Sequence, residues 1–137
     1  MQGYNLIAVF DPSGERWLMC RRSKEPYLGL SNLVGGKIEP GEDGMRAAYR
    51  ELREETGIDN NEIMLTHLMD FTYPLDDCWV EVYVGRLRQD KPVYGDENEL
   101  YWSALDCNFF DSSRYAGEGN IGHILEHIML KREQLLR

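Results

Sequence analysis

The chain opens with a run from Tyr4 to Phe10 that is mostly apolar and includes β-branched residues, followed by the turn-forming quartet Asp11-Pro12-Ser13-Gly14. This predicts a strand and a turn, with Trp17 to Arg21 as the returning arm of a hairpin. Five glycines and two prolines lie between Ser23 and Gly44, too many helix breakers for anything except loops and short strands. The pattern changes at Asp43, where Met45, Ala48, Leu52 and Thr56 recur at spacings of three and four. That is one face of an amphipathic helix, with Gly57 placed as its stop. Further strands are predicted at Met64 to Tyr73, at Trp79 to Leu87 and around Leu100 to Ser103, separated by Asp76-Asp77 and by the polar segment Gln89 to Asn98. Ile121, Ile124, Leu125, Ile128 and Leu135 predict a second helix. Strands mixed with two helices imply an α/β sheet covered on both faces, within one domain spanning residues 1–137. The aromatic group Phe71, Tyr73, Trp79 and Tyr83 reads as core.

Composition sharpens this picture. A chain of 137 residues is too short for two separate cores, and 42% hydrophobic with 28% charged residues suits a folded globular domain. Fifteen Lys and Arg against 24 Asp and Glu leave a net charge of −9, which repels the phosphates of DNA and RNA and excludes polymeric nucleic acid as a partner. A small phosphate ester stays admissible, because clustered carboxylates can hold divalent cations that reverse the local sign. The three cysteines, Cys20, Cys78 and Cys107, form no CxxC pair and cannot all pair within the chain. They read as buried or half-buried free thiols of a reducing compartment. No stretch approaches the ~20 apolar residues needed to span a bilayer, and Met1 to Asn5 carries no basic region. The expectation is a cytoplasmic protein with no membrane partner.

The candidate chemistry lies on the first helix. Glu51, Glu54 and Glu55 stand at i, i+3 and i+4, which projects three carboxylates from one face within a single turn. Just upstream runs Gly35-Gly36-Lys37-Ile38-Glu39-Pro40-Gly41-Glu42, a glycine-rich loop feeding the helix N-terminus. Such loops let backbone N–H groups approach phosphate oxygens, while the carboxylates can hold a hard cation such as Mg²⁺. Together they suggest metal-dependent attack of water on a phosphoanhydride.

Gly36, Glu42 and the run Arg50-Glu51-Leu52-Arg53-Glu54-Glu55-Thr56-Gly57-Ile58 match every fixed position of the Nudix box, so residues 36–58 resemble the signature of the Nudix hydrolases. The resemblance implies an α/β/α sandwich with a mixed β-sheet and hydrolysis of a nucleoside diphosphate linked to another moiety, with Mg²⁺ or Mn²⁺ as cofactor. By motif position Glu54 and Glu55 would be metal ligands, Glu51 a ligand or the base that activates water, and Arg50 the residue orienting these carboxylates. Gly36 would supply a close backbone approach to metal or phosphate, and Glu42 a structural or outer-shell carboxylate. Many members place a further acidic ligand or base in a later loop, where this chain has Asp96, Glu97 and Glu99; Glu97 is preferred by its distance from Trp102. A homodimer is admitted, since many relatives dimerise.

The residues outside the box bear on the substrate. The arrangement Asn32-x-x-Gly35-Gly36-Lys37 resembles MutT-like oxidised-purine nucleoside triphosphatases, which implies a base pocket built from Asn32, Tyr115 and Glu118; Lys37 or Arg22 is the candidate to stabilise charge developing on the phosphates. An amide offers donor and acceptor, a ring stacks, and a carboxylate accepts from purine N–H groups. The plain structural alternatives are a turn for Asn32 and core for Tyr115. The expected reaction is conversion of a nucleoside triphosphate such as 8-oxo-dGTP to the monophosphate and pyrophosphate. ADP-ribose hydrolysis, to which Pro74 is a weak pointer, and a non-catalytic nucleotide sensor are the alternatives. His67, and the pair His123 and His127 four residues apart, read as surface or interface residues because no third ligand lies near them in sequence.

Overall fold

The computed structural model describes residues 1–137. Six strands, β1 (Gln2–Phe10), β2 (Arg16–Arg21), β3 (Ser31–Asn32), β4 (Thr66–Tyr73), β5 (Cys78–Arg86) and β6 (Glu99–Ala104), form one mixed sheet. Its centre is the parallel pair β1 and β5, in register from Gln2 opposite Cys78 to Phe10 opposite Arg86. On one side β4 pairs with β5 antiparallel; on the other, β2 meets β1 at Phe10 and Trp17, pairs with β6 along its whole length, and pairs with β3 at Cys20 and Asn32. Single bridges from Tyr4 to Lys37 and from Ile7 to Val34 carry the chain beyond β3 alongside β1.

The helices α1 (Gly44–Thr56), α2 (Asn120–Leu130) and α3 (Arg132–Leu135) cover the two faces. Because strand side chains alternate, Ile7, Val9, Leu18 and Tyr83 pack with Ala48 and Leu52 of α1, while Ala8, Phe10, Trp17 and Val82 pack with Ile121, Ile124 and Ile128 of α2. This α/β/α sandwich is the expected fold. Each fully buried Leu or Ile, such as Leu52 or Ile58, contributes roughly 1.5–3 kcal/mol through removal of apolar surface from water. No helix is long and apolar enough to cross a membrane.

Three expectations change. The second helix breaks at Lys131 (φ −126°, ψ 28°), and Arg132 donates to the Gly14 carbonyl at 2.8 Å, tying the chain end to the first hairpin. The break shifts the helical phase, so that Leu136 enters the core and Leu135 is only half-buried. Cys20 is buried, with its thiol pushed up to about 11 by loss of solvation, and Cys78 is half-buried, but Cys107 is exposed because it sits on the loop after β6. Of the aromatic group only Tyr83 is core; Phe71 and Tyr73 are half-buried and Trp79 lies flat over Gly3, where a Cβ would stand 2.4 Å from its ring.

Candidate active site

The sequence dictates α1 locally. Asp43 caps it by accepting from the Arg46 N–H at 3.2 Å, and Gly57, in the left-handed region at φ 83°, ends it with its N–H on the Arg53 carbonyl. Ala47, Ala48, Leu52 and Thr56 are buried against the sheet, so the helix can present its carboxylates in only one rotational setting.

Arg50 organises that turn. Its Nε and Nη2 grip the two oxygens of Glu42 at 2.7 and 2.9 Å, Nη1 donates to Glu51 at 3.0 Å and to Glu54 at 3.2 Å, and Nη2 also donates to the Lys37 carbonyl at 3.1 Å. The bidentate bond to Arg50 holds the Glu42 carboxyl down at about 2 and raises the guanidinium above its ordinary value. Glu42 also accepts from the Glu39 N–H, so it fixes the incoming loop and does not face the cleft.

Glu51 is 9% exposed and wedged under Gly36, where a Cβ would lie 2.3 Å from its carboxylate oxygen. Only glycine permits this approach. Burial raises the Glu51 carboxyl, and Arg50 partly offsets that rise. Glu54 and Glu55 line a cleft of about 140 Å³ together with Asp96 and Glu97. The Glu55 carboxyl is pushed up to about 7 by burial first, then by the charges of Glu97, Glu51 and Glu54, with Arg22 opposing. Glu99 is not part of this cleft: it pairs across strands with Arg21. No three of these side chains are drawn together as a finished coordination sphere; unneutralised carboxylates repel one another. The donor set is all oxygen and short of positive charge, which fits a hard divalent ion such as Mg²⁺ or Mn²⁺ at Glu54 and Glu55, with Glu51, Glu97 and the Gly36 backbone alongside. Lys37 is exposed and does not line the cleft.

One residue of this site was missed. Asn5 is 1% exposed in β1; its N–H donates to the Gly36 carbonyl and its Oδ1 accepts from the Gly36 N–H at 3.0 Å, while its Nδ2 has no partner. A lone amide inside an otherwise apolar strand was the available signal.

The expected base pocket assembles differently. Asn32 is opposite Cys20 in register and therefore on the α1 face, with Oδ1 accepting from the Leu33 N–H at 2.9 Å. Tyr115 is 4% exposed, packs on Phe109 and belongs to the α2-side core. The two therefore do not share a wall. Glu118 joins a cluster that was not anticipated: both its oxygens accept from the Tyr27 hydroxyl, at 2.8 and 3.0 Å, burial and then the Glu118 charge raise the nearby Tyr73 hydroxyl, and the Asn120 amide donates to that hydroxyl. Tyr73 and Phe71 point to the α2 face with Val80 and Leu6, forming a half-buried apolar shelf. These residues are separated by up to 93 positions in the chain (Tyr27 to Asn120), so no local pattern announced them. His123 and His127 are edge to face at 4.6 Å with no third ligand, and His67 pairs with Asp70.

The NUDIX domain model matches residues 2–109. The chain belongs to that family. Among characterised relatives, this Nudix chain is 40% identical over 54 residues to the CTP pyrophosphohydrolase of Escherichia coli K12, a match covering 39% of the chain and 40% of that protein. It is 28% identical over 117 residues to the RNA pyrophosphohydrolase of Caulobacter vibrioides, covering 80% of the chain and 67% of the relative. Among solved structures, a MutT described for Aliivibrio salmonicida and Vibrio cholerae superposes with a TM-score of 0.73 at 19% identity, over 94% of this chain and 98% of that one. The fold is thus a MutT-like Nudix fold.

Proposed function

We propose that this Nudix chain is a Mg²⁺- or Mn²⁺-dependent nucleoside triphosphate pyrophosphohydrolase, forming a monophosphate and pyrophosphate from a purine nucleotide such as 8-oxo-dGTP. The observation that carries the reading is the cleft of Glu54, Glu55, Asp96 and Glu97, set beside a glycine loop whose Gly36 is pinned by Asn5. A divalent ion bound there supplies charge neutralisation of the phosphates and an acidified water. The chain's own groups do the positioning: Arg50 fixes the orientation of Glu51 and Glu54, Glu51 accepts a proton from the attacking water, and Lys37 and Arg22 face the phosphates.

For the base, the reading rests on the α2-side shelf. Glu118 and Asn120 stand two residues apart and offer a carboxylate acceptor and an amide, the first hydrogen-bonded to the Tyr27 hydroxyl and the second to that of Tyr73. An 8-oxopurine carries an N–H donor at position 7 where the normal purine has an acceptor, so a carboxylate there prefers the oxidised base. The CTP and RNA relatives described above are both named as pyrophosphohydrolases, which supports the reaction type but not the base.

The test is a panel of dGTP, 8-oxo-dGTP, CTP and ADP-ribose with each metal, separating pyrophosphate from orthophosphate. Pyrophosphate release, fastest from 8-oxo-dGTP, is expected. AMP from ADP-ribose with no pyrophosphate from any triphosphate would replace this reading with nucleoside-diphosphate-sugar hydrolysis. Tight binding without turnover would make the chain a nucleotide sensor.

A further inference from the structure

A second pocket, of about 180 Å³, shares no lining residue with the carboxylate cleft and lies between the loop 29–31, the end of β2, β6 and the segment 113–115. It is lined by Arg21, Ser31, Tyr101, Arg114 and Tyr115, and no carboxylate is among its lining residues. The two arginines are held by aromatic faces: the Arg21 guanidinium lies 5.9 Å from the Tyr101 ring centre and that of Arg114 5.9 Å from Tyr115. We infer that this pocket binds a phosphoryl group, with Arg21 and Arg114 as its two cationic walls.

Its hydroxyl chemistry supports an anion. Ser31 and Tyr101 hydrogen-bond to each other through their hydroxyls, which uses one of two protons; the Tyr101 hydroxyl also reaches the weak acceptor Met19 Sδ at 3.9 Å, a contact that an entering anion can displace. The Ser113 hydroxyl is not available, because it donates to Asp111 at 2.6 Å. Arg114 forms no ion pair, and Arg21 reaches only Glu99, at 3.7 Å with both partners more than half exposed, a pair that an entering anion can replace. A guanidinium fork matches phosphate geometry bidentately, so two of them around one small concavity favour phosphate over a monovalent anion. The background charge of −9 limits the ligand to a small phosphate and excludes a long polyanion. Register places Ser31 opposite Arg21, and Arg21 alternates with Cys20 of the α1-side core, so the pocket opens on the α2 face while Glu54 and Glu55 serve the other. A free phosphate and the phosphate of a nucleotide ester share this chemistry.

The experiment is a ¹H–¹⁵N NMR titration of the full chain, stripped of metal with a chelator, using inorganic phosphate at constant ionic strength. Saturable shifts are expected at the amides of Ser31, Ser113 and Arg114, weakened about tenfold in Arg114→Gln and lost in the double variant Arg21→Gln/Arg114→Gln. Shifts that are absent, that sodium chloride reproduces, or that are confined to residues 36–57 would overturn the inference. A parallel titration with AMP separates the sources: equal or tighter binding identifies an ester, and binding of inorganic phosphate alone identifies the free ion. Arg114 is exposed and outside the carboxylate cleft, so Arg114→Gln should keep the wild-type melting temperature and turnover. Failure of the nucleotide panel would leave this result untouched.

Discussion

The two faces of the sheet solve the problem of buried polarity in opposite ways. On the α1 face one guanidinium gathers Glu42, Glu51 and Glu54, yet Glu55, Asp96 and Glu97 form no ion pair and Arg22 only partly offsets the charge at Glu55, so that end is incomplete until positive charge is added. On the α2 face Tyr27, Tyr73, Glu118 and Asn120 satisfy one another with hydrogen bonds from neutral donors, so a ligand must exchange bonds already made. The first face should therefore supply affinity that depends on metal, and the second should supply selectivity.

The largest test of that contrast is Glu54→Gln. Removing one candidate ligand charge should lower pyrophosphate release by about a hundredfold or more at saturating Mg²⁺, with an unchanged circular-dichroism melting curve. Wild-type turnover would remove the α1 face from the chemistry. Asn5→Ala comes next: it strips the acceptor from the Gly36 N–H in a buried setting, which should cost about 1–3 kcal/mol in urea unfolding and reduce turnover as well. Stability at the wild-type value would mean that the loop is held by β1 pairing alone. A smaller effect is expected on the other face, where Glu118→Gln should raise KM for the preferred purine triphosphate by about tenfold with kcat little changed. An equal loss in kcat would show that the two faces are not separate in function.

The smallest effect is a pH dependence. The Glu42 carboxyl titrates at about 2 in the folded chain because of Arg50, below its ordinary 4.5, so its contribution is complete above pH 4.5 and is lost as pH falls toward 2. Metal-free wild type should exceed Glu42→Gln by on the order of 1–2 kcal/mol at pH 6, and the gap should close near pH 2. A gap that persists at pH 2 would assign Glu42 a role in packing and not in charge pairing.

The same contrast explains what could be read in advance. The box, its helix and the strands flanking it are specified by residues a few positions apart, so spacing put Glu51, Glu54 and Glu55 on one helix face, and the likeness to the Nudix box added Arg50 beside them. Glu97 could be chosen from three acidic neighbours, but its approach to Glu55 depends on how a loop folds across 42 positions. Tyr27, Tyr73 and Asn120 meet only through the sheet, and each alone resembles an ordinary surface or core residue. Asn32 lies on the α1 face because of its register with Cys20, and a one-residue shift in register decides such a matter. The helix break at Lys131 was invisible to periodicity because the bond from Arg132 to Gly14 that accompanies it is a tertiary contact.

Ser23, in the loop that precedes the box, is fastened to the acidic loop: its hydroxyl donates to the Glu97 carbonyl at 2.6 Å and its N–H to Asn98 Oδ1 at 2.9 Å. Segments 23–30 and 96–98 are therefore mechanically coupled. An insertion in either should be tolerated only with a compensating change in the other, and an engineer grafting a foreign recognition loop at Ser23 would have to transplant the acidic loop with it.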